Sequence, residues 1–305
     1  MKPVSKLQAA LANDKFVITS EIVPPAGVIT STFAENAHRL NDFVHAINIA
    51  AYPIATARMS SMACCKLLKD MGIEPILQIT ARDQNRLNLQ SEVLGATSRN
   101  IQNILCLTGD APTAGRAPFQ GLPFDLDSTQ MLWILRRLRD EGRFLDRREV
   151  IFRPQLFLGA AGSPNDPNPV HEALRIEKKV NAGAQFIQTQ LDYELSNLER
   201  WLEALDTRGL LLKVYILIGI APLRSLDHAH YIREHIPDVT IPSNVIEMLE
   251  RSSNLESTGF EIARELIKKV RGLPGVSGVH LISSNAHAFL TQLFEDASLD
   301  FKTPS

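Results

Sequence analysis

Cysteine is scarce in this chain. Its three residues, Cys64, Cys65 and Cys106, are an odd number with no metal-binding spacing, which rules out a disulfide framework and leaves buried free thiols as the reading. Histidine is equally sparing of clusters. His228 and His230 form an isolated His-x-His at the start of a helical stretch with no Cys or acidic cluster to complete a zinc site, so they read as a solvated helix face. No apolar run is long enough to span a bilayer, and the opening residues Met1 to Lys6 contain no signal-peptide core, so the expectation is a cytoplasmic protein. The net charge of -2 comes without any long basic or acidic block, which argues against nucleic-acid or membrane-surface partners. There is no Gly-x-Gly-x-x-Gly, no Walker-type loop and no Ser/His/Asp or Cys/His arrangement in a convincing context, so nucleophilic hydrolysis and phosphoryl transfer recede.

What remains is a balanced chain of 305 residues, 22% charged and 45% hydrophobic, with a strong rhythm. Strand-like segments are expected at 16–22, 44–49, 74–80, 104–108, 150–158, 186–190, 211–218 and 279–283. Each is followed by a helical pattern, at 32–40, 56–71, 84–98, 128–141, 170–182, 195–205, 226–235 and from 286 onward. Extra helical material occupies 243–271, before the last strand. Strict alternation implies a parallel sheet, and eight units over this length favour a closed (β/α)8 TIM barrel over an open doubly wound sheet. With no linker or shift in composition, residues 1–305 read as a single α/β barrel domain. Two loops, 109–127 and 159–169, exceed ordinary connection lengths and both follow strands, where a barrel builds its active site.

The strand ends carry groups that buried apolar strands have no use for. The run Phe16 to Val23 is stopped by Pro24 and Pro25, leaving the carboxylate of Glu21 at the end of the first strand. Taken alone, Glu21 is equally an outward-pointing edge residue or a functional group whose burial has a purpose. The third strand carries Gln78 and Thr80, and the fourth ends Thr108-Gly109-Asp110. The sixth carries Gln188 and Gln190 on one side by strand alternation, and the eighth ends Ser283-Ser284-Asn285. Five such ends on one rim point to an active site. Amides, carboxylates and backbone N–H groups together suit a flat heterocycle, and a Glu in an apolar barrel mouth would have a raised pKa and serve as a proton donor.

An ordered set of segments resembles the methylenetetrahydrofolate reductase family. It comprises Glu21 with Pro24-Pro25, Leu107-Thr108-Gly109-Asp110, Ala182-Gly183-Ala184 leading into Phe186 to Gln190, Gly219-Ile220-Ala221-Pro222, and Gly278-Val279-His280, from about Phe16 to Phe294. The resemblance implies a flavin-containing barrel that passes hydride from NADH or NADPH through FAD to 5,10-methylenetetrahydrofolate, giving 5-methyltetrahydrofolate, or runs in reverse. It casts Glu21 as the general acid that helps open the folate imidazolidine ring. Asp110, Gln190 and Gln188 are cast as substrate contacts. Gln78, Thr108, Gly109, Asp110, Phe124 and Ala160 are cast as cofactor contacts, and Glu172, Arg175, Lys178 and Lys179 as a polar cluster against the FAD ribityl and diphosphate.

The chain departs from the family pattern in several places. Ala50-Ala51-Tyr52-Pro53 stands where many members have Thr-Tyr-Gly, Thr108 replaces a frequent Arg, Leu226 replaces an aromatic residue and Ala286 replaces an Arg. Two alternatives therefore stand beside the reductase: a folate-dependent methyl-transfer barrel without redox chemistry, and a non-catalytic folate- or flavin-binding partner subunit. Helices around a barrel also make a homo-oligomer possible.

Overall fold

The computed structural model describes residues 2–53, 56–109, 125–236, 239–282 and 286–296. Its centre is a closed barrel of eight parallel strands in chain order. They are β1 (Val17–Ile22), β2 (Ala46–Ile49), β3 (Pro75–Thr80), β4 (Asn103–Leu107), β5 (Phe157–Gly162), β6 (Phe186–Leu191), β7 (Tyr215–Ile220) and β8 (Val276–Leu281). A helix α1 (Lys6–Ala12) precedes β1. The helices that follow the strands are α2 (Ser31–Asn41), α3 (Ser61–Asp70), α4 (Arg86–Ser98), α5 (Ser128–Arg136), α6 (Pro169–Ala182), α7 (Leu195–Asp206), α8 (Leu226–His235) and α11 (Ala286–Glu295). The extra material before β8 is two helices, α9 (Ser243–Glu250) and α10 (Leu255–Arg271). None of the described helices is long and apolar enough to cross a membrane.

Strand alternation sorts the side chains into two populations. Ile18, Ile47, Leu77, Ile104, Leu158, Ile187, Ile216 and Val279 face the helices and join one continuous apolar layer with them. Val17, Ala46, Ile76, Leu105, Phe157, Phe186 and Leu217 point inward and fill the lower barrel. There Leu7, Ala10 and Leu11 of α1 pack against them and close the amino-terminal end. Phe157 and Phe186 stack with centroids 4.9 Å apart. The stack explains Gly159: a Cβ there would lie 2.2 Å from Phe186 Cζ. With its lower half packed solid, the barrel interior is open at the carboxyl-terminal mouth.

Local chemistry sets the helix starts above that mouth. Asp127 and Gln130 form a reciprocal capping box at α5. Asn168 caps α6, with Pro169 at its first position. Ser225 accepts from His228 N at the start of α8.

Three strands begin three or more residues from where the sequence pattern predicts. Instead of 150–158, β5 starts at Phe157: Pro154 interrupts the apolar run, and Ile151 and Phe152 are 91% and 86% exposed. The segment Gly159–Gly162, expected as loop, is strand, its small residues being what the Phe186 stack and the α6–α7 layer leave room for. Likewise β7 starts at Tyr215 rather than 211, leaving Leu212 in solvent, and β8 spans Val276–Leu281.

Candidate active site

The strand ends converge on a cavity of about 320 Å³ in the carboxyl-terminal mouth. Glu21, Gln78, Thr108, Gly109, Glu172, Arg175, Lys179 and Gln190, all anticipated from sequence, line it together. Glu21 also forms one wall of a second cavity of about 390 Å³, between β1, α2, the start of α8, and α11. This second space is bordered by Arg39, Arg224, His228 and His287. The outward-edge alternative for Glu21 is thereby excluded: its carboxyl stands between two cavities.

Burial raises the Glu21 pKa, opposed by a hydrogen bond from Gln78 Nε2 to Glu21 Oε2 at 2.6 Å. Gln78, anticipated as a cofactor contact, thus has its amide engaged with the acid. The thiols offer no competing nucleophile. All three cysteines are free and buried, and burial pushes Cys106, which borders the cavity, up to about 12.

The opposite end of the cavity is charged. Glu172, Arg175 and Lys179 share one face of α6 at helical spacing. Glu172 Oε1 accepts from Ser163 N at 3.0 Å, while Glu172 Oε2 lies 3.1 Å from Arg175 Nη1 and accepts no hydrogen bond. Lys179 Nζ donates to Ala161 O at 2.7 Å. Burial raises the Glu172 pKa and lowers that of Lys179, with each charge partly offsetting the shift of the other. Lys178 does not join them: one helical step off this face, it is exposed and outside the cavity.

Along the rim, Thr108 Oγ1 donates to Ser128 Oγ at 3.0 Å and accepts from Ser128 N at 3.3 Å, tying the end of β4 to α5. Gly109 has φ 92°, and a Cβ there would lie 2.2 Å from Thr80 Cγ2, so the close approach demands glycine. Arg82, not anticipated, also borders the cavity. It pairs with Asp83 at 2.7 Å and donates to Tyr52 O at 3.3 Å, steadying Tyr52 at φ 43°.

Two other predicted contacts lie elsewhere. Ala160 is buried in the layer between barrel and helices, and the inward residue of β5 at the cavity is Ala161; Gly162 borders the cavity at the strand end, its own Cβ direction facing Ile176, Ile187 and Trp201. The prediction came through the family resemblance, while 159–162 read as loop and so carried no strand phase. Gln188 points inward, as alternation requires, but lies beneath the cavity rather than in it. It exchanges hydrogen bonds with Asn48 (2.7 and 3.1 Å) and donates to Thr19 Oγ1 at 3.1 Å. His280 Nδ1 completes the group, 3.0 Å from Thr19 Oγ1. Surrounded by donors and out of water, His280 is held neutral, its pKa pushed down to about 3 by burial.

Sequence reasoning gave no site role to Thr19, Asn48 or His280, although Asn48 and His280 are each a lone polar residue between apolar neighbours in a strand. His228, expected on a solvated face, borders the second cavity instead. Asp110, Phe124 and Ser283 to Asn285 lie outside the described residues. Among the described residues no cluster of His, Cys, Asp and Glu could hold a metal ion.

Comparison with known proteins gives a consistent picture. A family model described as methylenetetrahydrofolate reductase matches residues 6–298. The probable methylenetetrahydrofolate reductase (NADPH) of Caenorhabditis elegans is 21% identical over 249 residues, covering 79% of this chain and 34% of that protein. Methylenetetrahydrofolate reductase 1 of Schizosaccharomyces pombe is 22% identical over 238 residues, covering 75% and 36%. The chain thus spans about a third of the length of these curated relatives. Among solved structures, an uncharacterized protein from Clostridium thermocellum, described as binding two copies of 5-methyl-5,6,7,8-tetrahydrofolic acid, superposes with a TM-score of 0.70 at 15% identity. That match covers 96% of this chain and 99% of the other and supports the barrel fold. With its family model matched from residue 6 to residue 298, the chain belongs to the methylenetetrahydrofolate reductase family.

Proposed function

We propose that this chain interconverts 5,10-methylenetetrahydrofolate and 5-methyltetrahydrofolate with a bound flavin and NADH or NADPH, and that Glu21 is its general acid. The observation that carries this reading is Glu21 itself, a carboxyl with a raised pKa standing between two cavities. One cavity would take the flavin and the other the folate, so the acid lies where both ligands meet.

The residues of the first cavity fit a flavin. Ala50, Ala51, Leu107, Ala161 and Gly162 offer an apolar, low-relief wall for a flat ring. At the far end Arg175 and Lys179 supply positive charge for a diphosphate, and Glu172 Oε2, ion-paired with Arg175 but accepting no hydrogen bond, offers an acceptor to a ribityl hydroxyl. When bound, the flavin supplies the two-electron carriage between nicotinamide and folate. The chain's own part is to orient and to move a proton. A protonated Glu21 donates to the folate ring nitrogen as its bond to the bridging carbon breaks, leaving an iminium carbon open to hydride. Gln190, exposed near the end of β6, lines the first cavity together with Glu21, and its amide would contact the folate from that side. The relative described as binding 5-methyltetrahydrofolate supports a folate ligand.

The test is anaerobic absorbance spectroscopy of the purified chain. A flavin spectrum that bleaches with NADH or NADPH and returns on adding methylenetetrahydrofolate is the expected result. A colourless chain that binds folate and oxidises neither nicotinamide would replace this reading with a methyl-transfer barrel.

A further inference from the structure

We propose that Gln78 is the positioning residue of the Glu21 acid: its amide holds one carboxyl oxygen as an obligate acceptor and thereby assigns the transferable proton to the other. The inference rests on the acid role proposed above for Glu21, and it adds which oxygen acts and what holds it.

Gln78 Nε2 donates to Glu21 Oε2 at 2.6 Å, although β1 and β3 are not neighbours in the barrel. The contact crosses β2, and what β2 presents makes the crossing possible. Asn48 is the register partner of Glu21, but its amide is committed to Gln188 through two hydrogen bonds. The next inward position, Ala50, offers only a methyl group, and Ala50, Gln78 and Glu21 border one cavity. A longer side chain at 50 would fill the gap through which Gln78 reaches.

An amide N–H can only donate, so Oε2 accepts whether Glu21 is charged or neutral. A carboxyl's carbonyl oxygen is a better acceptor than its hydroxyl oxygen, so the bond favours the neutral acid with its proton on Oε1. The same bond is stronger to a carboxylate than to a carboxylic acid, so Gln78 restrains the rise in proton affinity that burial causes. Charged and titratable groups surround the pair: Arg82, Cys106, Glu172, Arg175 and Lys179 around the first cavity, and Arg39, Arg224, His228 and His287 around the second. Burial and the Gln78 amide are nonetheless the two influences that set the direction at Glu21.

The experiment is an infrared titration of the carboxyl C=O band that disappears in Glu21→Gln, compared between the wild-type chain and Gln78→Met, which keeps the length and removes the donor. The midpoint is expected to rise by about one to two pH units, the worth of a hydrogen bond to a charged group. Gln78→His, which keeps an N–H donor, should hold its midpoint near that of the wild-type chain. In turnover, the alkaline limb of the folate half-reaction should move up with the midpoint, while flavin reduction by the nicotinamide keeps its pH profile. An unchanged midpoint in Gln78→Met, or a loss of rate equal at every pH, would overturn the proposal. A shifted midpoint in a chain that never turns over methylenetetrahydrofolate would support the pairing and reject the reductase reading, so the two failures are distinguishable.

Discussion

His280 makes the floor of the site acid-sensitive by an amount that can be worked out. Its Nδ1 faces the Thr19 hydroxyl at 3.0 Å and the Gln188 amide at 3.4 Å, an environment that suits a neutral ring and opposes a cation. Folded His280 therefore stays neutral down to about 3, whereas the unfolded chain takes up a proton below the ordinary value of 6.5. A depressed histidine pKa means that acid favours the unfolded chain, so stability is lost as pH falls below 6.5 and the loss is complete near 3. At about pH 5 the accumulated loss is about 1.5 pH units, or about 2 kcal/mol, and the full span is about 5 kcal/mol. The perturbation is His280→Gln, which keeps a polar group and removes the titration. Its own packing cost is independent of pH and cancels when each chain is compared with itself. Urea unfolding at about pH 7.5 and about pH 5 should show the wild-type chain losing about 2 kcal/mol more than the variant. Other titrating groups, including Asp192, raised to about 7 by burial, contribute to both chains and drop out. Equal losses in the two chains would refute the assignment of His280 as a buried neutral ring.

Three more outcomes follow from the same geometry. Gly159→Ala forces a methyl against the Phe186 ring and should destabilise by about 1–3 kcal/mol, seen as a lowered melting temperature with the spectrum of any bound flavin unchanged. Glu21→Gln should raise stability near neutrality. A carboxyl whose folded pKa is raised opposes folding progressively as pH climbs above 4.5, so the gain should vanish below that value in a melting series. Lys179→Met removes the half-buried cation at the end of the cavity and should weaken flavin retention by about tenfold or more, measured by equilibrium dialysis.

The barrel was legible because its signals are repeated and redundant. Eight alternating units survive errors in any one of them, and Pro24-Pro25, Asp127 with Gln130, and Asn168-Pro169 mark where strands stop and helices start. Glu21, Thr108, Gly109 and Gln190 were legible as polar or special residues where an apolar strand ends. The failures share a physical origin, the phase of a side chain within its element. Ala160 was cast as a cofactor contact through the family resemblance, whereas alternation along β5 turns it toward the helices; Gly159 is there to clear the Phe186 ring, a contact between β5 and β6 that no local pattern reveals. Lys178 was grouped with Lys179 through the family resemblance, whereas helical geometry turns it out to solvent. Gln188 lies one layer below Gln190, where Asn48, Thr19 and His280 from three other strands consume its hydrogen bonds. That network exists only once the barrel closes. Arg82 reaches the mouth through a short turn after β3, with nothing in its neighbourhood to mark it.

The most direct measurement is rapid-mixing kinetics of the two half-reactions in Glu21→Gln. Removing the proton donor while keeping the shape should leave flavin reduction by the nicotinamide largely intact and slow reoxidation by methylenetetrahydrofolate by about 100-fold or more, the usual worth of a positioned acid. Equal slowing of both half-reactions would make Glu21 a structural carboxylate and contradict the account.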